Sequence, residues 1–337
     1  MNSNNPIRPN ILIIGTGSIG ERHLRCFLAT DRCNVSFCEP IEDRRADIAA
    51  RYNITGYPSL DDALSAGSID AAVVATPAQT HIPISTQLAS KGVHLMIEKP
   101  LGVSLDGIDE LAAVVAEQSV QVAIGYTLRS MPPVRDMRRA ILDGRFGKPL
   151  QVTVVGGQHF PLYRPAYREI YYTKHETGGG AIQDCITHHL NTVEWLVGPI
   201  TRLVADADHL ALEGVEVEDT VHILTRHGSV LGSFSINQHQ APNETTVTVI
   251  CERGAARWET AHNRWLSCVE PGAQWTVEKA YHAERDDYYI NQANSFLDQL
   301  EKQSEPVCSL AEGIQTLRVN LAALNSAKTE KWETIQS

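Results

Sequence analysis

The stretch NILIIGTGSIG, residues 10–20, decides how this chain is read. Ile11–Ile14 form an apolar run of buried-strand length, and it ends on Gly15-Thr16-Gly17-Ser18-Ile19-Gly20. That GxGxxG spacing is weak alone. It gains meaning directly after an apolar strand and at the start of a helix. Residues 18–30 supply the helix, with Ile19, His23 and Phe27 on one face. In this context Gly15 permits a tight turn, Gly17 lets backbone approach a pyrophosphate, and Gly20 allows close helix–strand packing. The helix N-terminus adds unpaired N–H groups and partial positive charge. The other reading is a glycine-rich turn with no ligand.

Outward from this turn, strand and helix patterns alternate. Strands are expected at NVSFCE (34–39), DAAVVAT (70–76), VHLMIE (93–98) and QVAIGY (121–126). Helices are expected at 43–52, 59–66, near 79–91 and at 104–118. Strands that are apolar throughout are buried on both faces, which implies parallel pairing under helices. The first part is therefore a doubly wound α/β Rossmann domain. Glu39 ends the second strand, 24 residues after Gly15. A carboxylate there accepts hydrogen bonds from adenosine ribose hydroxyls and repels a 2′-phosphate, which favours NAD over NADP. Arg44 and Arg45 keep NADP open, or they form a solvated helix face.

After residue 150 the character changes. Segments 149–158, 200–208, 219–227, 230–238 and 244–252 read as strands, several alternating apolar and polar residues, as expected for a sheet with one covered face. Helices are expected at about 179–197, at 286–303 and after Ser309. This half is α+β.

The chain has 337 residues and a formal charge of −11, from 29 basic and 40 acidic side chains. The length suggests two domains. The charge argues against a nucleic-acid partner, which needs clustered Lys and Arg, but not against a small anionic ligand. No run of 18 apolar residues occurs, so no membrane association is expected. The opening MNSNNPIRPN lacks a signal-peptide pattern. Seven scattered cysteines without a CxxC pair read as reduced thiols in a cytoplasmic protein, with no metal site.

Two segments carry candidate chemistry. Glu98-Lys99-Pro100 closes an α/β strand at its carboxyl end, where ligands sit in such sheets. A lysine there can bind a substrate hydroxyl and stabilise developing alkoxide charge; a lone lysine is also an ordinary surface residue. Residues 178–198 read GGGAIQDCITHHLNTVEWLVG. Asp184 and His188 are about 40° apart round an α-helix, and Asn191 falls on the same face. His189 lies about 140° from Asp184 and points elsewhere. His188 is suited to removing a hydroxyl proton, and Asp184 to positioning a hydroxyl and holding His188. The three glycines are expected to let backbone approach cofactor or substrate. An amphipathic core helix with incidental polar residues is the alternative.

Gly15–Gly20, ATPAQTH (75–81), EKPLG (98–102), GYTLR (125–129) and GGG…Asp184…His188 occur in one order along nearly the whole chain. This set resembles the glucose–fructose oxidoreductase/inositol dehydrogenase (Gfo/Idh/MocA) family. The resemblance implies a Rossmann domain over 1–125, with Thr76, Pro77, Glu98 and Lys99 beside the cofactor. It implies an α+β domain with a large open, mostly antiparallel sheet over 126–337, for substrate binding and oligomerisation; its last helix is expected to pack back on the first domain. It also implies NAD(P)-dependent hydride transfer at a secondary alcohol of a sugar, sugar derivative or cyclitol, with Lys99, Asp184 and His188 as the catalytic set. Asn191 stands where the family often has Asp, and Ile186 where it often has Gly.

The loop Gln158–Arg168 borders the active site in that family. His159, Tyr163, Arg164 and Arg168, with Tyr126, Arg129 and Asn191, are the candidate substrate contacts, since Arg forks and phenols suit several hydroxyls or an anionic group. Tyr171–His175 adds further candidates. His81 is expected to order the loop and helix after the strand at 70–76. A lyase or glycosidase that retains NAD, and a ligand sensor without catalysis, are the alternative functions. An open sheet face suggests a homodimer or homotetramer.

Overall fold

A computed structural model describes residues 8–336, so most of the polar opening segment, residues 1–7, lies outside the described part. The chain divides into two compact units. Unit 1 comprises the described residues up to Gly102, together with Asp106–Gly125 and Glu284–Leu310; unit 2 comprises Val103–Leu105, Tyr126–Ala283 and the described residues from Ala311. One boundary thus falls between Gly125 and Tyr126. The expected second domain, 126–337, needs correcting: 284–310 belongs with the first unit.

Unit 1 alternates β1 (Asn10–Ile14), α1 (Ser18–Ala29), β2 (Asn34–Cys38), α2 (Glu42–Tyr52), β3 (Gly56–Tyr57), α3 (Leu60–Ala66), β4 (Ala71–Val74), α4 (His81–Ala89), β5 (His94–Ile97), α5 (Ile108–Glu117) and β6 (Val122–Ile124). The strands form one parallel sheet in the order β3-β2-β1-β4-β5-β6. In register, Ile13 pairs with Phe37 on one side and Val73 on the other. Every residue of β4 and the last four of β1 are buried. This is why the strands read as unbroken apolar runs. Two helices are shorter than expected. A 3₁₀ turn at Ala78–Thr80 precedes α4, and α5 waits until Gly107, at φ +75°, has turned the chain.

Helix α9 (Arg285–Leu300) completes this unit. Its Ala293, Phe296 and Leu297 are buried in one cluster with Leu24 and Phe27 of α1. Asp286 accepts from Arg22 Nε at 2.9 Å and Arg25 Nε at 2.5 Å. A reciprocal capping box between Glu284 and Asp287 fixes the start of α9. The helix that returns to the first unit is thus the penultimate one. The last, α10 (Leu310–Thr329), lies almost wholly in the second.

Unit 2 contains α6 (Pro132–Leu142), β7 (Pro149–Gly157), α7 (Phe160–Tyr163), α8 (Thr187–Val197), β8 (Arg202–Asp208), β9 (Thr220–His227), β10 (Val230–Asn237), β11 (Glu244–Cys251), β12 (Gly254–Glu259), β13 (Arg264–Cys268), β14 (Thr276–Ala280) and β15 (Glu333–Thr334). Nine strands make one sheet, β14-β13-β12-β11-β7-β10-β9-β8-β15, and only β7 and β10 pair in parallel. Its two faces differ, as the alternation requires. Val152, Val154, Val221, Ile223, Phe234, Val247 and Val249 are buried, whereas Val155, Leu224, Leu231 and Ile250 are exposed. The register sets these last residues among Thr153, Ser233, Ser235 and Thr246 on one open surface. Helix α6 had no clear signal; its two prolines occupy the first turn, where the missing N–H groups are harmless.

Candidate active site

The candidate cofactor residues lie on unit 1. Gly15 has φ +82°, and a Cβ on Gly20 would stand 1.8 Å from the Gly15 carbonyl oxygen. Helix α1 therefore leaves β1 at a distance only glycine allows. A Cβ on Gly17 would meet nothing within 4 Å, Gly17 and Ser18 are exposed, and α1 begins without a side-chain cap. Open space before an uncapped helix end fits a pyrophosphate, because the first-turn N–H groups have no intrahelical partners.

Glu39 is buried behind this turn. Its Oε2 accepts from Thr16 N at 3.0 Å and Thr16 Oγ1 at 2.9 Å, and its Oε1 from Ile41 N at 3.1 Å. Burial pushes the carboxyl pKa up, but these hydrogen bonds and Arg44 outweigh it and hold Glu39 below the usual carboxylate range. Arg44 Nη1 stands 3.4 Å from Glu39 Oε2, and Arg45 Nη1 donates to the Glu39 carbonyl at 2.8 Å. Both arginines thus turn toward Glu39 itself, in addition to lining a solvated helix.

The carboxyl ends of β1, β4 and β5 stand side by side and present Gly15, Thr76 and Lys99. Thr76 and Lys99 are half-buried, and Pro77 is exposed. Buried His81 ties two of these ends together: Nε2 lies 2.8 Å from the Thr76 carbonyl and Nδ1 2.9 Å from the Pro100 carbonyl. Burial lowers the His81 pKa against the pull of those two acceptors.

A separate set of candidate residues lies on unit 2. A π-helical turn, Ile182–Ile186, carries Asp184 and runs directly into α8, which carries His188. Asp184, Ile19 and His188 are all half-buried in their respective units. The Tyr171 hydroxyl donates to Asp184 Oδ1 at 2.7 Å. The Tyr126 ring meets His188 edge-on, with centroids 6.0 Å apart, and its hydroxyl lies 3.0 Å from Thr187 Oγ1. His189 is buried, and burial lowers its pKa to about 4.

Glu218 organises the start of this helix. Its Oε1 accepts from Ile182 N at 2.8 Å, and its Oε2 lies 2.5 Å from His175 Nε2. The hydrogen bond to Glu218 raises the His175 pKa against partial burial. The glycine run serves this packing. A Cβ on Gly179 would lie 2.1 Å from the Tyr172 carbonyl oxygen, and one on Gly180 2.6 Å from either Glu218 oxygen. At Gly179 and Gly180 the close approach within this unit is to the protein's own carbonyl and carboxylate.

Several expected substrate contacts are placed differently. Asn191 and Arg129 are buried. Arg129 Nε donates to Asn191 Oδ1 at 2.6 Å, its Nη1 to Glu312 Oε1 at 2.6 Å, and Asn191 Nδ2 to Thr316 Oγ1 at 2.9 Å. The π turn changes the helical phase, so Asn191 leaves the Asp184 face and joins the core between α8 and α10. Tyr126 is likewise buried and backs His188. Arg168 Nε donates to the Glu213 carbonyl at 2.7 Å and ties two loops. His159 and Tyr163 are exposed and Arg164 half-buried, as an open loop requires. The loop is seated by its other aromatics, Phe160, Tyr167 and Tyr172, which are buried with Leu212, Val215 and Val217.

Missing from the sequence reading were Glu218, whose only cue is a loop position remote from the helix it caps, and the specific partnership of Tyr171 with Asp184. Among the described residues no cluster of His, Cys, Asp and Glu could hold a metal, and no helix is long and apolar enough to cross a membrane.

A glycine turn before an uncapped helix, on the carboxyl edge of a parallel sheet, defines unit 1 as a dinucleotide-binding Rossmann domain. Residues 9–126 match the oxidoreductase family with an NAD-binding Rossmann fold, and residues 134–257 the Gfo/Idh/MocA C-terminal domain. The chain belongs to the Gfo/Idh/MocA oxidoreductase family. Inositol 2-dehydrogenase of Rhizobium meliloti is 23% identical over 95% of this chain and 97% of that protein. The 1,5-anhydro-D-fructose reductase of Ensifer adhaerens is 27% identical over 96% and 98%. The rhizopine catabolism protein MocA of Rhizobium meliloti is 28% identical, but the match spans only 55% of this chain and 56% of that protein. Among solved structures, the WlbA dehydrogenase of Bordetella pertussis, in complex with NADH and UDP-GlcNAcA, shares the fold with a TM-score of 0.84, at 24% identity over 98% of both chains. A levoglucosan dehydrogenase in complex with NADH and levoglucosan does so with a TM-score of 0.88, at 18% identity over 98% of this chain and 100% of that one.

Proposed function

We propose that this protein is a dehydrogenase that oxidises a secondary alcohol of a sugar, sugar derivative or cyclitol, or runs the reverse reduction, with NAD as its cofactor. The observation that carries this reading is the placement of Lys99. It follows β5, two strands from β1 and its glycine turn, which is about 10 Å at the usual strand spacing. A cation there would stand on the substrate side of a dinucleotide held at the glycine turn.

Gly15–Gly20 would hold NAD, which would supply the hydride acceptor for oxidation of the carbinol carbon. Lys99 donates a hydrogen bond to the reacting oxygen and stabilises its negative charge. His188, held edge-on by Tyr126, takes the hydroxyl proton. Asp184 orients a hydroxyl while Tyr171 holds one of its oxygens. His159, Tyr163 and Arg164 border the substrate through the loop after β7. NAD is favoured because the buried Glu39 carboxylate at the end of β2 repels a 2′-phosphate, and Arg44 is turned onto Glu39.

A screen of sugars, sugar acids and inositols against NAD⁺ and NADP⁺, read at the NADH absorbance, tests this. Turnover with at least one polyol and a preference for NAD⁺ are expected. Lys99→Ala should lower turnover about a hundredfold or more while NADH still binds. Wild-type turnover in that variant would overturn the assignment.

We also infer a homo-oligomer in which a second copy covers the Val155–Leu224–Leu231–Ile250 face, since such an apolar patch is atypical of a free surface. Light scattering of the wild type and of Leu224→Asp tests it. A reducing, cytoplasmic setting is supported by the buried, unpaired thiols of Cys26, Cys33, Cys38 and Cys251, whose pKa values burial raises.

A further inference from the structure

Helix α1 carries a buried imidazole that the proposed chemistry leaves unused. His23 Nε2 lies 2.5 Å from Glu98 Oε1, with side-chain exposures of 1% and 6%. The other Glu98 oxygen, Oε2, accepts from Lys99 N at 3.0 Å. One carboxylate therefore joins the dinucleotide helix to the backbone of the lysine. His23 Nδ1 has no hydrogen-bond partner among the described residues. Burying a ring nitrogen without a partner is unfavourable, so the polarity of His23 acts at its other nitrogen, on Glu98. The surroundings are shaped to this pair. The Tyr289 ring closes the far side edge-on, 5.4 Å from the imidazole centroid. A Cβ on Gly125 would press to 3.0 Å from the Glu98 carboxyl. Burial pushes the Glu98 pKa up, but His23, Lys99 and the Lys99 N–H overcome it and keep the carboxyl below its usual range.

We propose that His23 is a positioning residue for Lys99: it fixes Glu98, which in turn fixes the lysine backbone. The consequence for turnover rests on the role of Lys99 proposed above; the geometric claim does not. Without the His23 donor the Glu98 carboxylate rotates toward Lys99, favours its ammonium form, and misplaces it for the substrate oxygen.

Two variants differ only in reach. His23→Gln carries an amide that extends to the position of Nε2; His23→Asn carries the same amide but stops short. Acetylation of Lys99 by acetic anhydride, followed by peptide mass spectrometry with exposed Lys91 as reference, reads the lysine without cofactor or substrate. Lys99 labelling should slow at least about threefold in His23→Asn and stay near wild type in His23→Gln. In parallel, kcat should fall about tenfold or more in His23→Asn and recover in His23→Gln, with the NADH dissociation constant within about twofold throughout. Unchanged labelling in His23→Asn, equal effects of the two variants, or a parallel loss of NADH affinity would overturn the proposal. If His23→Asn does not fold, Gly125→Ala displaces the same carboxylate without altering either partner, and the same labelling change decides. Absence of hydride transfer in the wild type, with the labelling difference intact, would count against the dehydrogenase reading alone.

Discussion

The Tyr171 hydroxyl donates a 2.7 Å hydrogen bond to Asp184 Oδ1. Tyr171 is exposed and stands on a short 3₁₀ turn, while Asp184 is half-buried on the π turn that leads into α8. Thr177 Oγ1 donates to the Tyr171 carbonyl at 2.6 Å, so the phenol is held from its own backbone. Hydrogen bonds to a charged carboxylate are among the stronger ones, about 1.5–3 kcal/mol. Tyr171→Phe keeps the ring and removes only the donor. We expect kcat/KM to fall about tenfold and the melting temperature by no more than a few degrees, because water replaces the donor at this exposed position, checked by steady-state kinetics and calorimetry.

The glycine turn separates a folding glycine from a binding one. Gly20→Ala places a carbon 1.8 Å from a backbone oxygen, so the variant should be strongly destabilised. Gly17→Ala has open space around its Cβ and a φ of −64°, which alanine adopts readily. It should melt like the wild type yet bind NADH about tenfold or more weakly, because the methyl occupies the path of the pyrophosphate. Fluorescence titration with NADH and a thermal melt check the pair. Normal NADH binding by Gly17→Ala would place the pyrophosphate elsewhere.

The legibility of the two units follows from their contacts. β1, β4 and β5 are covered on both faces, so composition alone marked them, and the intervening helices followed. In unit 2 the strands β12–β14 and helix α6 were missed. Short strands such as Arg264–Cys268 and prolines at Pro132-Pro133 mimic loops. The candidate site divides the same way. Gly15–Gly20 and Lys99 are fixed by local sequence, but Glu218 reaches Ile182 across 36 residues and no local pattern announces it. The π turn is equally silent, and it removes Asn191 from the expected face.

His189 gives a prediction with a defined sign. Burial lowers its pKa to about 4, from an ordinary value of 6.5. The unfolded chain therefore binds more protons than the native one between those values, and stability rises with pH across that window. The neutral imidazole is favoured above pH 6.5, and folding loses roughly 3 kcal/mol from this group as pH falls to about 4. His189→Gln should flatten the stability profile between pH 4 and 6.5, measured by urea unfolding, while leaving turnover at neutral pH in place. An unchanged slope would show that His189 is not the group being protonated.

The buried Arg129–Asn191 pair distinguishes a structural role from substrate contact. Asn191 accepts from Arg129 Nε and donates to Thr316 Oγ1, while Glu312 takes a second face of the guanidinium. Asn191→Leu keeps the branching of the side chain but is larger, and it removes the acceptor that Asn191 Oδ1 offers Arg129 Nε. Leaving a buried charged donor unsatisfied costs about 1–3 kcal/mol or more. The melting temperature should fall by several degrees, and Asn191→Asp, which still accepts from Arg129, should recover most of it. A residue that touches substrate would give the opposite pattern, with KM rising at unchanged stability. Since Arg129 and Asn191 anchor α8 from behind, the loss in Asn191→Leu should appear first as reduced stability, and in kcat only through movement of His188. Measured together, the melting temperature, kcat and KM separate the two roles within one variant.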